Sequence, residues 1–239
     1  MAGTHAFKIA NEFIGWGDTK PGGLFFSGNE GAAPFTDIDK LLASEGQRHV
    51  VETEFNWSTL GNKGAGIRNF TAKIAAAVSA SISPEDWTGY RDQILWAEGS
   101  GVFQTNLYPL GKPRLDSWEE HYEKTFGFGK NDLAAYQEHV RKTRFPILKE
   151  FRDELKPQAT ICFGSSYAAY FMLMLKLDAA AATTVPEGAE KHLKVFDNEK
   201  VLITPFFGQG QMSDELVREL VAVLKRWNVC LDHTKVLKT

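Results

Sequence analysis

Apolar residues recur along this chain in two rhythms. Short unbroken runs of about four or five residues end at glycine, proline or a polar amide, and longer stretches repeat at helical spacing. Leu24-Phe25-Phe26-Ser27 is a run of the first kind and predicts a strand running into a glycine-rich turn. Thr36-Asp37-Ile38-Asp39 predicts a helix start, with Thr36 capping the amides ahead of Leu41 and Leu42. His49 to Phe55 carries the β-formers Val50, Val51, Thr53 and Phe55. Beyond the loop Gly61-Asn62-Lys63-Gly64-Ala65-Gly66, Phe70, Ile74, Ala77 and Val78 return at helical spacing. Ser83 and Pro84 predict a capped helix through Trp87, Ile94 and Leu95 to about Gly99.

Val102 to Asn106 then predicts a strand, and Trp118 to Lys124 a short helix. Asn131 is the expected cap of a long helix carrying Leu133, Tyr136, Val140, Ile147, Leu148 and Phe151, with Pro146 a candidate kink. Ala159 to Phe163 predicts a buried strand meeting Gly164-Ser165-Ser166, followed by a helix from Tyr167 to Leu175. Val195-Phe196 and Val201-Leu202-Ile203 flank Asp197-Asn198-Glu199-Lys200 as a hairpin, and Thr183 to Glu190 is the candidate mobile loop. Ser213 is the expected cap of a last helix striped by Leu216, Val217, Leu220, Val223 and Leu224. Strands separated by helices predict a single α/β domain over residues 1–239. Its expected form is a three-layer sandwich around a central, mostly parallel sheet of about four or five strands.

Composition narrows the class without fixing a function. At 239 residues and 43% hydrophobic, the chain can fill one large core. Lys+Arg 27 against Asp+Glu 30 gives a net charge of −3, so no global basic excess announces nucleic acid, although a local basic face remains open. Cys162 and Cys230 sit in apolar contexts and read as buried thiols of a reducing compartment. Met1 to Asn11 lacks a signal-peptide pattern, and the apolar stretch Tyr167 to Ala182 is broken by Lys176 and Asp178. A cytoplasmic protein with no membrane partner is therefore expected. The histidines show no ligand spacing, so neither metal nor cofactor is expected.

The candidate chemistry lies where strands end. Parallel strands place Ser27-Gly28-Asn29, Thr105-Asn106 and Thr204-Pro205 on one edge of the sheet, where open α/β sheets bind ligands. Asn106, followed by Leu107-Tyr108-Pro109-Leu110, offers a donor and an acceptor suited to a nucleobase edge; the alternative is an Asn capping a loop. Ser27 to Phe35 is neither a dinucleotide fingerprint nor a phosphate-binding loop. Ser165-Ser166 lacks Gly-x-Ser-x-Gly and is better read as a helix cap.

In order along roughly residues 20 to 227, these segments resemble the uracil-DNA glycosylase superfamily. The first loop is similar to the family's Gly-x-Asn-Pro-Gly motif, with Asn29 and Gly31 in place, Glu30 where Pro is usual and Ser27 where the first Gly is usual. The Asn106 segment is similar to the base-reading strand of the single-strand-selective monofunctional branch. Arg68 and Phe70 match an Asn-Arg-Phe segment, and Pro157 to Met172 looks like the third strand and its helix. Val201 to Gln211 occupies the place of His-Pro-Ser but holds Thr204-Pro205-Phe206, without the His that donates to the leaving base.

The resemblance implies hydrolysis of the N-glycosidic bond of a flipped base, uracil or a relative, in DNA, single-stranded DNA included. Asn29 would position the water, and Thr204, Gln209 or Gln211 would stand in as donor. Ser27, Gly28, Phe35, Asn106 and Gln209 would hold the base, with Phe35 stacking on it. Lys63, Arg68, Lys112 and Arg114 would contact phosphates, or else be solvated surface charge. Phe206 and Phe207 are either wedges or core. The alternatives are an inactive nucleobase-binding member of the fold and a small-molecule hydrolase on the same scaffold.

Overall fold

The computed structural model describes residues 4–31, 37–51, 65–112, 117–208 and 210–233. Its elements are α1 (His5–Glu12), β1 (Gly15–Gly17), β2 (Leu24–Gly28), α2 (Ile38–Ala43), β3 (His49–Val50), α3 (Ala65–Ala77), α4 (Trp87–Gln93) and β4 (Val102–Asn106). They continue with α5 (His121–Phe126), α6 (Leu133–Leu155), β5 (Ala159–Phe163), α7 (Ala168–Leu175), β6 (Thr183–Val185), β7 (Leu193–Phe196), β8 (Val201–Thr204) and α8 (Asp214–Arg226). The strands form one mixed sheet in the order β3-β1-β4-β2-β5-β8-β7-β6, larger than the four or five strands expected. Its centre, β4-β2-β5-β8, is parallel throughout. β1 joins β4 antiparallel, and β7 and β6 extend the far side antiparallel.

Two apolar layers sandwich this sheet. Leu24, Phe26, Val102, Phe163 and Leu202 face α3, α4 and α8, whose Ile74, Tyr90 and Leu220 cover them. Alternation sends Phe25, Phe103, Cys162 and Ile203 to the opposite face, under α1, α5, α6 and α7. Burial on both faces makes the central strands continuous apolar runs, which is why they were visible in the sequence.

Local structure corrects several expectations. Asp37 caps α2, accepting from the Lys40 amide at 2.9 Å; Thr36 lies outside the described residues. Ser83 makes no cap bond to the backbone, and Pro84–Asp86 form a 3-10 turn that leads into a short α4 ending at Gln93 rather than near Gly99. The long helix is preceded by a 3-10 turn over Lys130–Asp132, where Asp132, not Asn131, bonds back to the Gly129 amide at 2.9 Å. Pro146 lies inside the continuous run of α6. Ser213 caps α8 as expected, accepting from Leu216 N at 3.2 Å. The expected mobile loop begins as β6, paired with β7. α1 and β1 were not foreseen: two of the three residues in β1 are glycine, so it carries no alternating pattern. Cys230 is exposed, and only Cys162 is buried. Among the described residues no helix is long and apolar enough to cross a membrane.

Candidate functional site

The order of the parallel strands sets where a ligand can enter. From β2 the chain crosses to β4 on one side; from β5 it crosses to β8 on the other. The direction of winding therefore reverses between β2 and β5, and the crevice outside their carboxyl ends is the ligand position of such sheets. β2 delivers Gly28 and Asn29 to that crevice, and β5 delivers Phe163 and Gly164.

Missing side chains let these groups close together. A Cβ at Gly28 would lie 2.7 Å from Asn106 Oδ1 and 2.7 Å from the Phe163 ring, so the amide from β4 and the ring from β5 meet over the last residue of β2. Gly164 adopts φ +118°, and a Cβ there would collide with the Asn29 amide. The two asparagine side chains thus flank the end of β2, one reaching from β4 and the other reaching toward β5. The ladder continues past the strands: Leu107, Tyr108 and Lys112 donate their amides to the carbonyls of Gly28, Asn29 and Gly31 at 2.9, 2.9 and 2.8 Å. The two exit loops are therefore fixed against each other by backbone bonds.

Polar groups buried in these loops are poorly satisfied. Asn29 is 7% exposed, and its Oδ1 has no hydrogen-bond partner. The side chain of Glu30 is equally buried; Oε2 lies 3.4 Å from Lys112 Nζ, while Oε1 has no partner. Burial pushes the Glu30 carboxyl up to about 7, and the opposing pull of the Lys112 charge and hydrogen bond does not cancel it. Tyr108 Oη is also buried without a partner, and desolvation raises that phenol far above its ordinary range. Its ring lies among Tyr136, Tyr167 and Tyr170, with centroids 5.9–6.0 Å away. An unsatisfied buried polar atom costs about 1–3 kcal/mol, so each of the three calls for a water or ligand partner.

The expected site residues divide. Gly28, Asn29 and Asn106 come together at the end of β2, and Asn106 is partly exposed. Ser27 is wholly buried, and alternation along β2 turns it to the face opposite that of Gly28. Thr204 is wholly buried and donates its hydroxyl to the Pro205 carbonyl at 2.8 Å, so its proton is already spent. Lys112 is inside, paired with Glu30, and Arg68 is buried in α3, its guanidinium pulled below the usual range by desolvation. Neither is displayed as a surface contact. Phe207 is core, stacked on Phe163 at 4.6 Å, and the half-buried Phe206 packs on the same ring at 6.2 Å. Ser165 and Ser166 are exposed and form no side-chain cap. Phe35, Lys63, Arg114 and Gln209 lie outside the described residues. No cluster of metal-ligating side chains occurs among the described residues.

Three residues were not singled out for chemistry from the sequence. Glu30 entered only as a departure from a motif, although a carboxylate in a Gly/Ala loop at a strand end is itself a signal. Tyr108 was read only as part of a loop. Arg144 interrupts the apolar series Tyr136, Val140, Leu148 at four-residue spacing, and a charge on such a stripe has to be held by something. Compared with protein-family models and with curated proteins, the chain matches none.

Proposed function

We propose that the crevice at the end of β2 takes a nucleobase and that the chain hydrolyses an N-glycosidic bond, as the resemblance to uracil-DNA glycosylases implies. The observation that carries this reading is the Asn106 amide over Gly28 together with Asn29 Oδ1 and Glu30 Oε1, two atoms without a protein partner in the loop that leaves β2. A base edge supplies the N–H and C=O groups that complete such a set. In the reaction, water forms a bond to the anomeric carbon while the carbon–nitrogen bond breaks and its electron pair leaves with the base. Asn29 orients that water, and Glu30, with a carboxyl balanced near neutrality, takes its proton. Lys112 remains beside the carboxylate. Since the Thr204 hydroxyl is committed to Pro205, the amide of Asn106 is the group in place to donate to the departing base.

A second reading, that the substrate is a free nucleoside and not DNA, is favoured by the burial of Lys112 and Arg68, the described members of the expected phosphate-contacting set. One experiment separates the two. The protein is incubated with oligonucleotides containing uracil, hypoxanthine, xanthine or methylated bases and with the matching nucleosides, and released base is measured by chromatography. Release from oligonucleotides supports a glycosylase, release from nucleosides alone supports the second reading, and release from neither refutes both.

A further inference from the structure

The geometry points to a second binding site, for a small carboxylic acid with an aromatic or branched apolar body, in the cavity between α1, α2 and the middle of α6. This site does not depend on the glycosidic reading. The cavity holds about 380 Å³, within the range of small-molecule pockets. Its walls are largely apolar, with Phe13 and Trp16 on one side, Leu41 on another and Pro109 at the β4 exit. Arg144 lines it from α6 and is 2% exposed.

The charge on Arg144 is held but not neutralised. Its Nη1 donates to the carbonyls of Asn11 at 2.6 Å and Phe13 at 2.7 Å, and Nη2 donates to Asn106 O at 3.0 Å. Nε is shared between Asn106 O at 3.3 Å and Leu107 O at 3.1 Å. A guanidinium has five N–H donors; these bonds use four and leave one on Nη2. All the acceptors are neutral carbonyls, and no carboxylate forms an ion pair with Arg144 among the described residues. Desolvation draws the group down to about 10, and it remains a cation at neutral pH. Asp37 also lines the cavity, but its carboxylate caps α2 through Lys40 N.

A buried cation at one end of a hydrocarbon-walled space selects a ligand that is anionic at one end and apolar elsewhere. The spare N–H on Arg144 suits a carboxylate, and Lys40, Ser44 and Gln47 also line the cavity. Alternation along β4 turns Asn106 to the Val102 face, with its Oδ1 over Gly28. The cavity is bounded by Ala10 and Tyr108 of the other layer and reaches Asn106, so it adjoins the end of β2, and its charge comes from Arg144 on α6.

Calorimetric titration of the full chain with naphthylacetate and with its neutral amide, naphthylacetamide, tests the assignment. The acid is expected to saturate one site and to bind about tenfold or more tightly than the amide, because only the acid meets the charge. Leu41→Trp, which fills the cavity from α2, should abolish that binding. A smaller acid–amide difference, no saturable binding of the acid, or undiminished binding to a folded Leu41→Trp protein would overturn it. The acid–amide comparison on the unaltered chain decides the matter even where the variant does not fold.

Discussion

Glu30 gives the site an electrostatic signature that can be measured without knowing any substrate. Its carboxyl is 3.4 Å from Lys112 Nζ, a distance that by itself lowers an acid's pKa, yet burial of both side chains dominates and lifts it from 4.5 to about 7. The unfolded chain restores the ordinary value. A carboxyl raised on folding favours the protonated native state, so its stabilising contribution is complete below about pH 4.5 and disappears as pH rises through about 7. At 1.36 kcal/mol per unit, a shift from 4.5 to about 7 corresponds to roughly 3 kcal/mol. Glu30→Gln removes the titration while keeping the shape. Urea midpoints for both proteins from pH 4 to pH 8 then isolate the effect, because every other titrating group is shared. The difference in stability should move in favour of Glu30→Gln by about 3 kcal/mol across that window. A difference that stays constant within about 1 kcal/mol, or moves the opposite way, would show that Lys112 and not burial controls the carboxyl.

If Glu30 is the base, base release should rise with pH through about 7, and Glu30→Gln should flatten that limb and lower kcat more than it changes KM. Asn29→Ala should lose turnover at near-constant substrate affinity, and Asn106→Ala should lower turnover and also blur discrimination among bases in the oligonucleotide panel. Gly28→Ala forces a methyl to within 2.7 Å of Asn106 Oδ1 and the Phe163 ring, and calorimetric melting should show a loss of about 1–3 kcal/mol. A thiol reagent should titrate Cys230 rapidly and Cys162 only on unfolding, since burial of Cys162 both blocks access and pushes its thiol well above the usual range.

What could be read from the sequence follows from how each element is buried. β2, β4 and β5 lie between two helical layers and are apolar almost throughout, so they stand out as runs, and their polar ends mark the sheet's edge. β1 and β3 are short pieces at the margin, held by pairing rather than by composition, and nothing in Gly15-Trp16-Gly17 alternates. The convergence of Asn29 and Asn106 was legible because parallel strands share a carboxyl edge. The burial of Lys112 was not: a lysine in a Pro/Gly loop reads as solvated, and only the fold brings Glu30 to it. Thr204 illustrates the same limit, since its place on the edge is set by strand order but its hydroxyl bond to Pro205 is set by the local backbone.

The buried polar groups of the loops after β2 and β4 call for partners beyond the protein's own side chains. Leaving any one of Asn29 Oδ1, Glu30 Oε1 and Tyr108 Oη without a water or ligand partner costs about 1–3 kcal/mol. The loops that carry them are joined by the three amide bonds to the carbonyls of Gly28, Asn29 and Gly31. A carboxyl raised to about 7 and the amides of Asn29 and Asn106 thus stand close to the position where the winding of the sheet reverses. Preorganised polar groups of this kind act most strongly on charge that develops after they are in place. Under the proposed function, that charge is the electron pair that leaves with the base.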